Sequence, residues 1–192
     1  VDMKTLYEKT LRKNVTIIED AAHAIGSRYP SGEKVGCCKY SDMTMFSFHP
    51  AKTITTAEGG MVVTNNEDLA HLLRRYRNNG IERDQMYLTE GKQAPWYYEV
   101  QEISGNFHVT EMQGALGLSQ LKRIDAFITK RRLLVKHYRT LLKDIPQIEL
   151  LTDKADDYTA FHLMVAKIDF KTIKKDRTEF MKALSDVGIG TQ

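Results

Sequence analysis

Cysteine is scarce: the 192-residue chain has two, Cys37 and Cys38, adjacent in sequence. Neighbouring cysteines rarely pair with each other, and two thiols build no disulfide framework. A reducing, cytoplasmic compartment is expected, with both thiols as small buried side chains. No apolar run approaches the roughly 20 residues that span a bilayer, and no signal-peptide pattern opens the chain, so no membrane partner is expected. No Gly-rich dinucleotide fingerprint follows a strand-like segment, which argues against a plain Rossmann oxidoreductase. There is no internal repeat, no low-complexity segment and no expected metal. Clustered basic charge is also missing. The net charge is +3, and the densest groups are Arg74-Arg75-Tyr76-Arg77, Lys130-Arg131-Arg132 and Lys174-Lys175. All three fall in helix-like stretches, where a solvated helix face explains them. That pattern fits a small anionic phosphate ligand better than a nucleic-acid duplex, which needs a clustered stripe.

Hydrophobic residues make up 42% of the chain and charged residues 28%, enough for one large domain or one plus part of a second. Asp2 caps a helix carrying Met3, Leu6, Tyr7 and Leu11. Val15 to Ile18 reads as a buried parallel strand ending in Glu19-Asp20. A helical turn over Ala21 to Ile25 stops at Gly26, and Pro30-Ser31-Gly32 marks a hairpin. Strands are expected over Met43 to Phe48 and Met61 to Thr64. A helix runs from about Asp68 to Arg77, capped by Asn65 or Asn66, with Gly80 beyond its end. Residues 81 to 105 lack periodicity and hold Trp96, Tyr97 and Tyr98; a long ordered loop is expected there. Thr110 with Gln113 forms a capping box for a helix through Leu121. A second helix from about Asp125 to Leu142 should turn Ile128, Leu134, Val135, Tyr138 and Leu141 inward, and Pro146 prevents its continuation. Phe161 to Ile168 reads as a strand, and Ile173 to Val187 as a helix ended by Gly188. The class is α/β, with a change of character near residue 125. The chain lacks an initial Met and stops at Gly188-Ile189-Gly190-Thr191-Gln192 in mid-structure, so a fragment is expected.

Asp20, Ser47 and Lys52 fall at or near the carboxyl ends of expected strands, where open α/β sheets bind ligands. The segments around them say more. Glu19-Asp20-Ala21-Ala22-His23-Ala24-Ile25-Gly26 precedes Asp42-Met43-Thr44-Met45-Phe46-Ser47-Phe48-His49-Pro50-Ala51-Lys52. Then come Glu58-Gly59-Gly60-Met61-Val62-Val63-Thr64, Arg77-Asn78-Asn79-Gly80 and Gly105-Asn106-Phe107-His108. These five blocks, in this order, resemble the DegT/DnrJ/EryC1/StrS family of sugar aminotransferases across essentially the whole chain. The resemblance implies the fold-type I aspartate aminotransferase architecture. Residues 1–124 would be the C-terminal part of the pyridoxal-phosphate-binding large domain; residues 125–192 would be a connecting helix and the beginning of a small α+β domain. The segment from Lys39-Tyr40-Ser41-Asp42 through Thr53-Ile54-Thr55-Thr56 looks most like the branch that aminates C4 of a UDP-linked 4-keto-6-deoxy-N-acetylhexosamine in pseudaminic acid synthesis.

The resemblance also implies roles. Lys52 matches the Schiff-base lysine, whose amine must be unprotonated to react and can afterwards move a proton; read alone, it is a loop lysine. Asp20 matches the aspartate that keeps the cofactor's pyridine nitrogen protonated, making the ring an electron sink; a helix N-cap is its plain alternative. His23 matches a position beside the cofactor ring, against a structural histidine. Ser47 matches a phosphate-binding serine, against an ordinary strand-end serine. Asn106 matches an asparagine that reaches the phosphate of a neighbouring subunit, which implies a homodimer with shared sites; by itself Gly105-Asn106 is a turn signal. Gly59 and Gly60 allow a tight backbone course. The implied partners are a nucleotide-linked keto sugar and an amino donor such as glutamate.

Three departures stand out. Ala57 replaces the usual Gly and would carry strain if its φ is positive. Phe107-His108 replaces Tyr-Arg, which puts an inter-subunit or phosphate contact in question. The loop from Ile81 to Ser104 looks longer than in many relatives. Family members are roughly twice as long as this chain, so an isolated fragment would bind cofactor weakly. Two other readings stand beside amino transfer. One is a non-catalytic, truncated dimerisation or regulatory module of the same fold. The other is a related sugar dehydratase, which carries His in place of the lysine, so Lys52 argues against it.

Overall fold

A computed structural model describes residues 1–91, 93–151 and 157–191. Lys92, within the expected long loop, and Gln192, at the expected broken end, lie outside the described residues. The central element is a sheet of β1 (Ile18–Asp20), β2 (Met43–Ser47) and β3 (Gly60–Val63), in that order. Strand β1 runs parallel to β2, with Asp20 opposite Met45, and β3 pairs antiparallel with β2, with Ser47 opposite Gly60. The carboxyl ends of β1 and β2 therefore share one edge. The expected strand at Val15 to Ile18 lies later in the chain: Val15 and Ile18 are exposed and only Ile17 is buried. The Ile17 N–H is taken by the Asp42 carboxylate (2.7 Å) rather than by a strand partner.

Helix starts follow their caps. Asp2 accepts from the Thr5 N–H (3.0 Å) at the head of α1 (Met3–Thr10), and that bond, with the Thr5 hydroxyl, holds its carboxyl below the usual range. Asn66 caps α2 (Glu67–Arg77), which has Glu67 and Asp68 in its first turn and arginines in its last, complementing the helix dipole. The Thr110–Gln113 capping box opens α3 (Glu111–Leu121). Helix α4 (Ile124–Leu142) follows with no side-chain cap. The region 81 to 105 is not all loop: β4 (Ile81–Glu82) and β5 (Glu99–Val100) pair antiparallel within it. Two strands, β6 (Ile148–Leu150) and β7 (Ala166–Ile168), form a further antiparallel ladder.

Three expectations about the second half are corrected. Phe161 to Val165 is not strand, because Phe161 sits at φ 51° in the left-handed region. The expected last helix is two, α5 (Phe170–Ile173) and α6 (Arg177–Asp186), divided where Lys174 turns left-handed at φ 52°. On α4, Ile128 and Val135 are buried, but Leu134, Tyr138 and Leu141 are exposed.

Two apolar clusters hold the first half. Phe48, Ile54, Ile124, Ile128 and Ala160 form one, bringing α4 and the 158–162 segment against the loop after β2. Met3, Ile17, Tyr29 and Tyr40 form the other under α1. Gly26, at φ 81°, permits the first: a Cβ there would lie 2.3 Å from Ile128 Cδ1. Between the clusters, Thr44 (0% exposed) donates to Glu19 Oε2 (3.1 Å), and Tyr29 donates to the same oxygen (2.6 Å). Burial, then Glu19, pushes the Tyr29 hydroxyl's pKa up, so the network stays protonated and satisfied.

Candidate functional site

Asp20 ends β1 and is exposed. One of its carboxylate oxygens accepts from the Ala22 N–H (3.0 Å), while the Ala21 N–H continues the sheet to Met45 (2.9 Å). The chain turns at once, and His23 follows in that turn, exposed. Ser47 ends β2 on the same edge, its Oγ accepting a long bond from the His49 N–H (3.4 Å). The Lys52 N–H returns to the His49 carbonyl (2.9 Å), closing a tight turn from His49 to Lys52 that begins just after Ser47.

The loop carrying Lys52 is closed by its own hydrogen bonds. Phe48 donates to Gly59 (2.9 Å), Thr56 donates to Phe48 (3.0 Å), and the Thr55 hydroxyl shares the Phe48 carbonyl (3.1 Å). Ile54, Thr53 and Thr56 are buried beneath it. Gly60 accepts a backbone approach that a side chain would block, since a Cβ there would lie 2.8 Å from the Phe46 carbonyl oxygen. Ala57 sits at φ 67°, the strained conformation expected from its replacing Gly, and its N–H is held by Thr55 Oγ1 (2.9 Å). Among the described residues no carboxylate pairs with Lys52, and no cation pairs with Asp20. A half-buried amine and a strand-end carboxylate are both left open.

Asn106 is placed elsewhere. It bridges to Asn78 at the end of α2, and its side-chain oxygen accepts from the His108 N–H (3.2 Å). No hydrogen bond, ion pair or ring contact among the described residues joins it to Asp20, His23, Ser47 or Lys52. His108, where an arginine was expected, uses its ring Nε2 on Asn78 Oδ1 (2.9 Å). Its imidazole thus braces the Asn106 turn. A cleft of ≈ 460 Å³ lined by Gly26, Gly36, Phe46, Ile124 and Asp125 contains none of the five predicted residues.

The sequence profile of the DegT/DnrJ/EryC1/StrS aminotransferases matches residues 1–192. The chain belongs to that family. Among its relatives is the UDP-4-amino-4,6-dideoxy-N-acetyl-beta-L-altrosamine transaminase of Campylobacter jejuni, 32% identical over all of this chain and 48% of that protein. An uncharacterized protein of Methanocaldococcus jannaschii is 37% identical over 91% of this chain and 44% of its own length. The solved structure of Helicobacter pylori PseC, an aminotransferase involved in pseudoaminic acid biosynthesis, superposes with a TM-score of 0.82 at 30% identity, covering 98% of this chain and 47% of that one. The fold is the mixed α/β architecture of fold-type I aminotransferases, and the chain spans about half the length of the curated relatives it matches.

In this DegT/DnrJ/EryC1/StrS chain the site gains residues that the sequence did not flag. His162 packs on His23, with ring centroids 4.3 Å apart and planes at 51°. Burial first, then His23, Lys52 and Arg131, pushes the His162 imidazole pKa below its ordinary range. Arg131 Nη1 donates to the carbonyls of both Phe161 and His162 (3.0 Å each). Nothing local in the sequence marks either residue: Arg131 lies in a basic run on a helix, and His162 in an apparent strand.

Proposed function

We propose that this chain is part of a pyridoxal-phosphate-dependent aminotransferase that passes an amino group, with glutamate as donor, to a nucleotide-linked 4-keto-6-deoxy sugar in amino-sugar and surface polysaccharide synthesis of the pseudaminic acid kind. One observation carries the reading: an unpaired amine at Lys52, held by a closed loop next to the strand edge where Asp20 and Ser47 end. The donor set suits the cofactor's three polar ends. A free carboxylate meets a ring nitrogen, a hydroxyl meets a phosphate, and an amine without a counter-ion meets an aldehyde. Bound there, the cofactor would supply the electron sink that lets an amino-bearing carbon lose its proton.

The chain's own residues do the rest. Asp20 would keep a proton on the ring nitrogen, because a carboxylate with no other cation favours a charged partner. Ser47 donates its hydroxyl to the phosphate, since its oxygen has only the weak His49 contact to satisfy. His23 packs beside the ring. Lys52 Nζ would hold the cofactor at rest, and its amine, once free, would take up and return a proton. Asn106, held on its turn by Asn78 and His108 and in no contact with these groups among the described residues, would serve the site of a second copy in a homodimer. The resemblance to the Campylobacter relative, 32% identical across the full chain, supports the substrate class. The two free thiols suit a reducing cytoplasm.

Borohydride reduction after mixing with pyridoxal phosphate, followed by peptide mass mapping, tests the reading. A stoichiometric adduct on Lys52 with the other lysines clean is expected. Labelling spread over surface lysines would overturn the assignment of Lys52.

A further inference from the structure

The segment from Tyr158 to His162 lies far beyond Val63, the last residue of the sheet, in sequence, yet it is fastened to the site from several directions. The Arg28 N–H donates to the Tyr158 carbonyl (2.7 Å), and the Ala160 N–H donates to Ser27 Oγ (3.0 Å). Arg132 Nε donates to the Thr159 carbonyl (2.9 Å). Ala160 itself is fully enclosed. Phe161 then takes a left-handed φ of 51°, a conformation that a bulky side chain adopts only when its surroundings impose it. The Arg131 guanidinium is the group that reaches this kink, with one nitrogen on two consecutive carbonyls.

The kink turns the His162 ring onto His23. Its Nδ1 is sealed from solvent and has no hydrogen-bond partner among the described residues. A buried lone pair without a donor costs less than a buried N–H without an acceptor. The ring proton therefore belongs on Nε2, and a second proton on Nδ1 has nowhere to go. His23, from the turn after β1, packs on the ring, and the charges of Lys52, from the loop after β2, and Arg131, from α4, also act against its protonation. All are cationic or able to become so, and none offers a carboxylate.

We infer that Arg131 is a positioning residue: its guanidinium, clamping the Phe161 and His162 carbonyls, sets the His162 imidazole against His23 at the edge of the site. The inference rests on the reading of Lys52 as the reactive lysine. His162 then presents an uncharged ring with a fixed Nε2–H donor at the edge of the site. A neutral donor there can hold a polar group of a bound substrate without adding a second positive charge beside the Lys52 amine.

The test is an NMR titration of the histidine rings in the protein, with the His162 resonance assigned by its loss in His162→Gln. Wild type should show His162 titrating below the ordinary imidazole range, with a cross-relaxation contact to the His23 ring. Arg131→Met removes both charge and clamp, whereas Arg131→Lys keeps the charge and loses the planar reach to two carbonyls. Both variants should lose the His23 contact, and His162 should rise toward its ordinary range in both. A lysine variant that holds His162 at its wild-type titration would show that charge, not the clamp, sets the ring, and would overturn the inference. So would a wild type in which His162 titrates as a free imidazole with no His23 contact, a result that needs no variant to fold. Reductive labelling of Lys52 separates the two readings: clean labelling with no histidine pair sinks only the Arg131 role, and an intact pair with scattered labelling sinks only the Lys52 role.

Discussion

The two halves of α4 are built alike and used differently. Its first half buries Ile124 and Ile128 against Phe48, Ile54 and Ala160, and its arginines hold the carbonyls of Thr159, Phe161 and His162. Its second half keeps the same apolar spacing, yet Leu133, Leu134, Tyr138 and Leu141 are exposed and only Val135 is buried. Helical periodicity fixes which side chains share a face. It does not say what covers that face. The covered half is the one that carries the candidate site, because the loop after β2 and the 158–162 segment both rest on it.

The largest effect is expected at Lys52. If Lys52 reacts and is held by a loop that satisfies its own polar groups, Lys52→Ala should abolish reductive labelling and lower any amino-transfer rate by on the order of 10⁴-fold or more. The thermal midpoint should barely move, since Lys52 Nζ makes no hydrogen bond among the described residues. A collapse of stability would show that the lysine is structural, and the division between scaffold and site would fail.

Next come paired truncations on the one helix. Ile128→Ala opens a hole in the cluster beneath the site and should cost about 2–5 kcal/mol. Leu141→Ala, at a position 60% exposed, should cost less than about 0.5 kcal/mol. Urea unfolding of both variants measures the contrast directly. Equal losses would mean that the second half of α4 is covered as well as the first, for instance by a second copy of the chain. In that case only the Leu141→Ala loss should change with protein concentration.

A smaller effect of opposite sign is expected at Ala57. The left-handed φ of 67° costs a residue with a Cβ about 1–2 kcal/mol. Glycine removes that cost but adds about 0.5–1 kcal/mol of unfolded-chain entropy. Ala57→Gly should therefore stabilise by roughly 0.5–1 kcal/mol in the same urea experiment. No gain would place the loop's closure entirely in its hydrogen bonds.

What the sequence revealed follows the same division. Elements announced by local chemistry are where they were expected: the Asn66 cap of α2, the Thr110–Gln113 box of α3, and β2 over Met43–Ser47. Asp20 and Ser47 end β1 and β2 as their contiguous segments suggested, and Lys52 lies in the loop after β2. Features decided by distant contacts were not legible. The left-handed Phe161 interrupts an expected strand, and Arg131, thirty residues earlier, takes its carbonyl. Lys174 split the last helix by a backbone turn that no glycine advertised. His162 joined His23 through tertiary packing alone, so its role could not be read from its neighbours.

The smallest effect expected is in the pH dependence of stability, and it belongs to the covered half of α4. His162 has its folded-state pKa depressed, first by burial and then by His23, Lys52 and Arg131. Between the ordinary imidazole value near 6.5 and the lower folded value, the unfolded chain binds more protons than the folded one. Stability therefore falls as pH drops through that window and levels off once the folded ring is protonated too. His162→Gln lacks the group and should lose this part of the slope, whatever the carboxylates contribute further down. The measurement is the difference in urea midpoint between wild type and His162→Gln across the window. A difference that does not change with pH would mean that His162 is as free to protonate as an exposed ring. The buried, partnerless Nδ1 would then have to reach solvent in the folded protein.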